Sequence, residues 1–116
     1  MVKKQKAIVL IVEGDTEEYF YNHILDKLNL KKVNPDIEFK IMNVKGVGKF
    51  RDKSLRKYDN YLKKRNQDIS TDVFLCYDHD VFKFQSKPPF KYGNLKNDYQ
   101  KRNKTRVFKI EAVESI

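Results

Sequence analysis

Cysteine is nearly missing from this chain. Cys76 stands alone, so no disulfide can form within the chain and a thiolate zinc cluster is not supported. Set inside an apolar run, that residue is expected as a small core side chain. Long apolar stretches are missing as well. None approaches the roughly 18 to 20 residues of a membrane helix, and the N-terminal run has neither the length nor the cleavage site of a signal peptide. The expectation is a cytoplasmic protein with no membrane partner. There is no internal repeat, linker or low-complexity tract. Acidic residues are outnumbered, 16 against 25 Lys and Arg, leaving a formal net charge of +9 and a pI near 9.6. That imbalance points to polyanions, nucleic acid first, unless the lysines only solvate the surface. At 116 residues the chain has room for one domain with a single core.

What is present is a set of short apolar runs, two of which end abruptly in acid. Ala7 to Val12 is continuous and rich in β-branched residues, as a strand covered on both faces should be, and Glu13-Gly14 follows it. Asp15 and Glu18 fit a capping box. Phe20, Ile24 and Leu28, with Tyr21 and Leu25 beside them, make the apolar stripe of a helix at about Thr16 to Leu30. Asn34-Pro35-Asp36 is a turn, and Ile37 to Ile41 alternates like an outer strand with one wet face. Gly46-Val47-Gly48-Lys49 lacks the spacing of a phosphate loop and reads as a plain loop. Leu55, Tyr58 and Leu62 mark a second helix near Asp52 to Asn66, with a strongly basic outer face. Val73 to Tyr77 is a third strand, running into Asp78-His79-Asp80. A punctuated loop with Pro88-Pro89 and Gly93 precedes a short helical candidate at Leu95 to Arg102 and a last strand at Arg106 to Ile110. Strands separated by helices imply an α/β fold with a mostly parallel sheet, right-handed crossovers and helices on both faces.

Parallel strands all end along one edge, so Glu13 and Asp78 share a rim if the first and third strands are neighbours. Asp78 and Asp80, two apart, leave extended backbone on the same side. Three such carboxylates repel one another unless a cation lies between them, and hard oxygen donors suit Mg²⁺. Each half has a plainer reading, Glu13-Gly14 as a strand-to-helix turn and Asp-His-Asp as a turn signal. His79 points away from these acids in extended backbone and reads as a flank or a nucleic-acid contact, and His23 as a surface residue. Phe84, Phe90 and Tyr92, beside Lys83, Lys87 and Lys91, either stack on bases or pack the loop down. A haloacid-dehalogenase phosphatase would carry Thr where Phe82 stands, and a glycosyltransferase would need a longer chain.

With Glu13-Gly14 after the first strand and Asp78-His79-Asp80 after the third, the chain resembles the Toprim domain of topoisomerases, bacterial primases, recombination mediators and several nucleases. The longer run from Val12 to Tyr19 looks most like the Toprim nucleases of the OLD and RloB-like groups, associated with phage defence. The resemblance spans roughly Ala7 to Glu114. It implies a three-layer α/β/α domain over residues 1–116 with a mostly parallel four-stranded sheet. It also implies Mg²⁺ or Mn²⁺ held by Glu13, Asp78 and Asp80, with Glu17 and Glu114 as further acidic ligands, and in-line cleavage of DNA or RNA. Glu13 would complete the site or pass a proton to the leaving oxygen. The basic face of the second helix (Lys49, Arg51, Lys53, Arg56, Lys57, Lys63, Lys64) is expected to guide the phosphate backbone. OLD-type proteins usually carry an ATPase domain, so a partner ATPase is implied, and this chain is either a stand-alone domain or a fragment. The alternatives are a non-catalytic Toprim-like module that binds nucleic acid or a partner, and a metal-dependent phosphatase.

Overall fold

Alternation along the strands decides the layers. In β1 (Lys6–Val12) the odd residues Val9 and Ile11 face one side of a sheet and the even residues Leu10 and Val12 the other, and all four are buried. Only a strand covered on both faces reads this way. The computed structural model describes residues 4–45, 50–65, 69–78 and 92–112, with backbone alone at 50, 51, 77, 78, 92, 111 and 112. After β1 come α1 (Asp15–Lys27), a single-turn α2 (Leu30–Val33), β2 (Ile37–Asn43), α3 (Phe50–Lys64), β3 (Ser70–Asp78), α4 (Tyr92–Gln100) and β4 (Thr105–Ala112). The four strands form one parallel sheet in the order β2-β1-β3-β4. The first and third strands are therefore neighbours, which meets the condition for a shared rim, and the Ile37 strand lies at an edge, as its alternation implies.

The larger core lies on the α3/α4 face. There Val9, Ile11, Met42, Val44, Val73, Leu75 and Val107 meet Tyr58 of α3 and Leu95 and Tyr99 of α4. On the opposite face Leu10, Val12 and Cys76 pack with Ile41, Phe74 and Tyr21 of α1. Cys76 is a core side chain, as expected. Among the described residues no helix is long and apolar enough to cross a membrane.

Polar side chains bind the N-terminal edge of the sheet. Asp72 is buried and holds Lys6 at 2.7 Å, and the Arg106 guanidinium donates to both its oxygens at 2.9 and 3.0 Å. Burial opposes ionisation of Asp72, yet Arg106 and Lys6 outweigh it and hold the carboxyl below its ordinary range. Arg65 donates to Thr71 Oγ1 and to the Ile69 carbonyl, and Arg102 makes a two-pronged pair with Asp59, tying the end of α4 to α3.

The first helix departs from expectation in three ways. It starts at Asp15 with Gly14 as N-cap and no side-chain cap, so the capping box does not form. It stops at Lys27, because Leu28 caps it and Asn29 takes a left-handed φ of 58°, a conformation Asn tolerates. Its buried stripe is also rotated. Leu25 is 6% exposed, whereas Phe20 and Leu28 are 55% and 59% exposed. Tyr21, not Phe20, carries the contact with the sheet.

Candidate metal centre

The rim is built from two adjacent strand ends. β1 and β3 pair in parallel with Ile11 opposite Leu75. Carried past the strand end, that offset sets Glu13 level with residue 77, one position before Asp78. Neighbouring strands lie about 4.8 Å apart, so the two acids leave the sheet from adjoining backbone. Glu13 is half-buried, with Oε2 withdrawn from solvent. Glu17 reaches back over the turn, its Oε2 lying 3.2 Å from where a Cβ on residue 14 would sit. Glycine at that position lets the carboxylate fold over the backbone.

Beyond the turn a clamp joins β2 to the start of α1. Asn43, 7% exposed, donates from Nδ2 to Asp15 Oδ1 at 2.6 Å and to Glu18 Oε1 at 3.1 Å. Its Oδ1 accepts the Lys45 backbone N–H at 2.8 Å, where the chain turns with a left-handed φ of 58°. Lys45 Nζ returns to Asp15 at 3.2 Å, and the Lys45 and Asn43 hydrogen bonds lower the Asp15 pKa. Asp15 and Glu18 are thus turned toward the edge strand instead of capping their own helix. Sequence reasoning missed Asn43 and Lys45; the alternation that continues past Ile41 as Met42-Asn43-Val44-Lys45 was the available signal.

Of the expected metal ligands, Glu13 and Glu17 are described in full and lie at the Gly14 turn. Asp78 is described as backbone, and Asp80 and Glu114 lie outside the described residues. Among the described residues no three of His, Cys, Asp and Glu gather closely enough to hold a metal. The donors at the rim are nonetheless hard carboxylate oxygens, one of them in a desolvated position, which suits Mg²⁺ or Mn²⁺ in donor type. Thiol and phenol chemistry fits less well. Burial pushes Cys76 up to about 11 and Tyr21 up to about 12, so both stay protonated near neutral pH.

Of the expected basic face, Arg56, Lys57, Lys63 and Lys64 are exposed and Lys53 is half-buried. Arg51 is described as backbone only, and Lys49 lies outside the described residues, as do His79, Phe84, Phe90 and the lysines beside them. Lys57 and Lys64 line a groove of about 910 Å³ that runs along the outer edge of β2 and takes in Asn43, Lys45 and Glu18 at the rim.

A family model described as the TOPRIM domain of overcoming lysogenization defect protein-like proteins matches residues 7–80. The match takes in Glu13-Gly14 and Asp78-His79-Asp80. No curated protein and no solved structure matches the chain.

Proposed function

The chain belongs to the OLD-like Toprim family, and from that premise we propose that it is a Mg²⁺- or Mn²⁺-dependent nuclease acting on DNA or RNA. The observation that carries the reading is the adjacency of β1 and β3, whose parallel course brings the Glu13-Gly14 turn and the Asp78 strand end to one rim. Toprim domains are nucleic-acid-processing modules that generally bind divalent metals. When bound, such an ion polarises a phosphoryl oxygen and eases deprotonation of water. In this reading Asp78 and Asp80 hold the ion, and Glu13 completes the ligand set or passes a proton to the leaving oxygen. Glu17, folded over the turn, and Glu114 are further acidic donors. The basic helix α3 supplies the attraction for the phosphate backbone. A partner ATPase, a role in phage defence and a cytoplasmic setting belong to the same reading.

The test is cleavage of labelled DNA and RNA by the purified chain with Mg²⁺ or Mn²⁺, with calorimetry of Mn²⁺ binding alongside. Glu13→Gln, Asp78→Asn and Asp80→Asn should each abolish cleavage, and the two Asp variants should lose Mn²⁺ affinity. Those two variants should also melt slightly higher in metal-free buffer, because a crowded negative charge is gone. Cleavage that survives chelation, or Mn²⁺ affinity unchanged in both Asp variants, would sink the metal-nuclease reading. Nucleic-acid binding without cleavage would put a non-catalytic module in its place.

A further inference from the structure

α3 turns two stripes in two directions. Ser54, Leu55, Tyr58 and Leu62 go inward, while Lys57, Asn60, Tyr61 and Lys64, three and four residues apart, look toward the outer edge of β2. β2 is an edge strand, so its outer backbone has no ladder partner among the described residues. Lys40 on that edge discourages another strand from pairing there, which keeps the edge open. Between helix and strand lies the 910 Å³ groove, lined by six cations, Lys4, Lys40, Lys45, Lys57, Lys64 and Arg65, against two carboxylates, Glu18 and Glu38. Part of this charge is already committed. Lys4 donates to the Pro35 carbonyl, Lys45 pairs with Asp15, Arg65 is bonded to Thr71 and Ile69, and Glu38 accepts from the Tyr61 hydroxyl. Lys40, Lys57 and Lys64 make no ion pair among the described residues. Lys57 and Lys64 stand about 10 Å apart along the helix axis, two turns of one face.

We propose that this groove is the track of one single strand of nucleic acid, whose phosphates are held by Lys40, Lys57 and Lys64 and which runs past Lys45 to the acidic rim. The proposal rests on the nucleic-acid reading above and names its substrate class. The groove's uncommitted cations stand on one strand edge and one helix face, a single basic groove of the kind that tracks one sugar-phosphate backbone in single-strand binders. The Tyr61 ring is already engaged, with the Arg65 guanidinium 5.4 Å over it and Tyr58 stacked at 6.3 Å, and is not presented for base stacking. Recognition therefore comes from the backbone and is indifferent to sequence.

Fluorescence anisotropy in EDTA, with short labelled oligothymidylate and oligouridylate and a hairpin duplex of matching length, separates binding from cleavage. Both single strands should bind more tightly than the duplex, and the two arms tell DNA from RNA. Reversing Lys40 and Lys64 together to Glu should weaken binding about tenfold or more at low salt and flatten the salt slope by roughly 1.4, two contacts at about 0.7 each. Lys40→Arg with Lys64→Arg should retain it. Reversing Lys27 and Lys31, exposed on α1 and α2 and outside the groove, should leave affinity within about twofold, because exposed charges act only over a screening length of about 8 to 10 Å. Tighter duplex binding, no binding by the wild type, or equal losses from the two pairs of reversals would overturn the track. Metal-dependent cleavage with affinity indifferent to Lys40 and Lys64 would sink the track while leaving the nuclease. Groove-dependent binding without cleavage would do the reverse.

Discussion

Asn43 is the side chain whose loss should reach furthest from so small a change. It is buried at the end of β2 and makes three hydrogen bonds, one from the Lys45 backbone and two to carboxylates of α1. In Asn43→Ala the exposed Asp15 carboxylate is rehydrated, so that contact is left out of the sum. The Lys45 N–H loses its acceptor and the half-buried Glu18 loses its donor, each worth about 1 kcal/mol, so the variant should lose about 2 kcal/mol. With a urea m-value of about 2 kcal/mol/M for a domain of this size, the unfolding midpoint should fall by about 1 M. Asn43→Asp separates the hydrogen-bond account from simple volume loss. It keeps the shape but sets a third carboxylate against Asp15 and Glu18, so at pH 7 it should be less stable than Asn43→Ala. It should recover on acidification, as its carboxyl, raised by its neighbours, takes up a proton. Urea titrations followed by circular dichroism at pH 7 and pH 5 measure both. An Asn43→Asp chain at least as stable as Asn43→Ala at pH 7 would refute the clamp.

The rotated face of α1 gives a second test: Leu25→Ala should cost about 3 kcal/mol by cavity formation, whereas Phe20→Ala should stay within about 1 kcal/mol. Equal costs in thermal melts would restore the Phe20 stripe as the packed one. A third concerns acid stability. Because the folded pKa of Asp72 lies below its ordinary value, its contribution is full above about pH 5 and is lost as pH falls through the carboxyl range and below. Asp72→Asn should therefore cost about 2 kcal/mol at pH 7 and little at pH 2, the charged hydrogen bonds being the part removed. Asp15 and Asp59, both also lowered, titrate in the same direction, so the acid limb becomes shallower without vanishing. A constant difference between wild type and variant across that range would exclude the linkage.

The sheet was legible because its signals are local. A continuous β-branched run ending in Glu13-Gly14 and an apolar run ending in Asp78 need only their own residues to be read as buried strands. Their parallel direction follows from the helices that separate them along the chain. What escaped was set by partners remote in sequence. Ser70, Thr71 and Asp72 look like loop, yet they extend β3, with Thr71 met by Arg65 just after α3 and Asp72 by Lys6 from β1 and Arg106 from β4. The alternation of β2 likewise runs on to Asn43, whose polarity is met by acids of α1. No window of neighbouring residues contains those partners.

The same distinction explains the first helix. A capping box presumes that a free helix start must be satisfied by its own side chains. Here Gly14 starts the helix without a side-chain cap, and the two acids that fit the box accept from Asn43 on the edge strand. The stripe was misassigned for a related reason, since Phe20 and Tyr21 are adjacent and periodicity alone cannot say which one meets the sheet. Tyr21 does, against Cys76 and Phe74, and this leaves Tyr19 and Phe20 outside. Sequence order gives the strands their common direction, and the adjacency of β1 and β3, which brings Glu13 and Asp78 to a common rim, is seen only in the folded sheet. How the rim is supported, and which face of α3 meets β2 across the basic groove, depends on contacts between elements that only folding brings together.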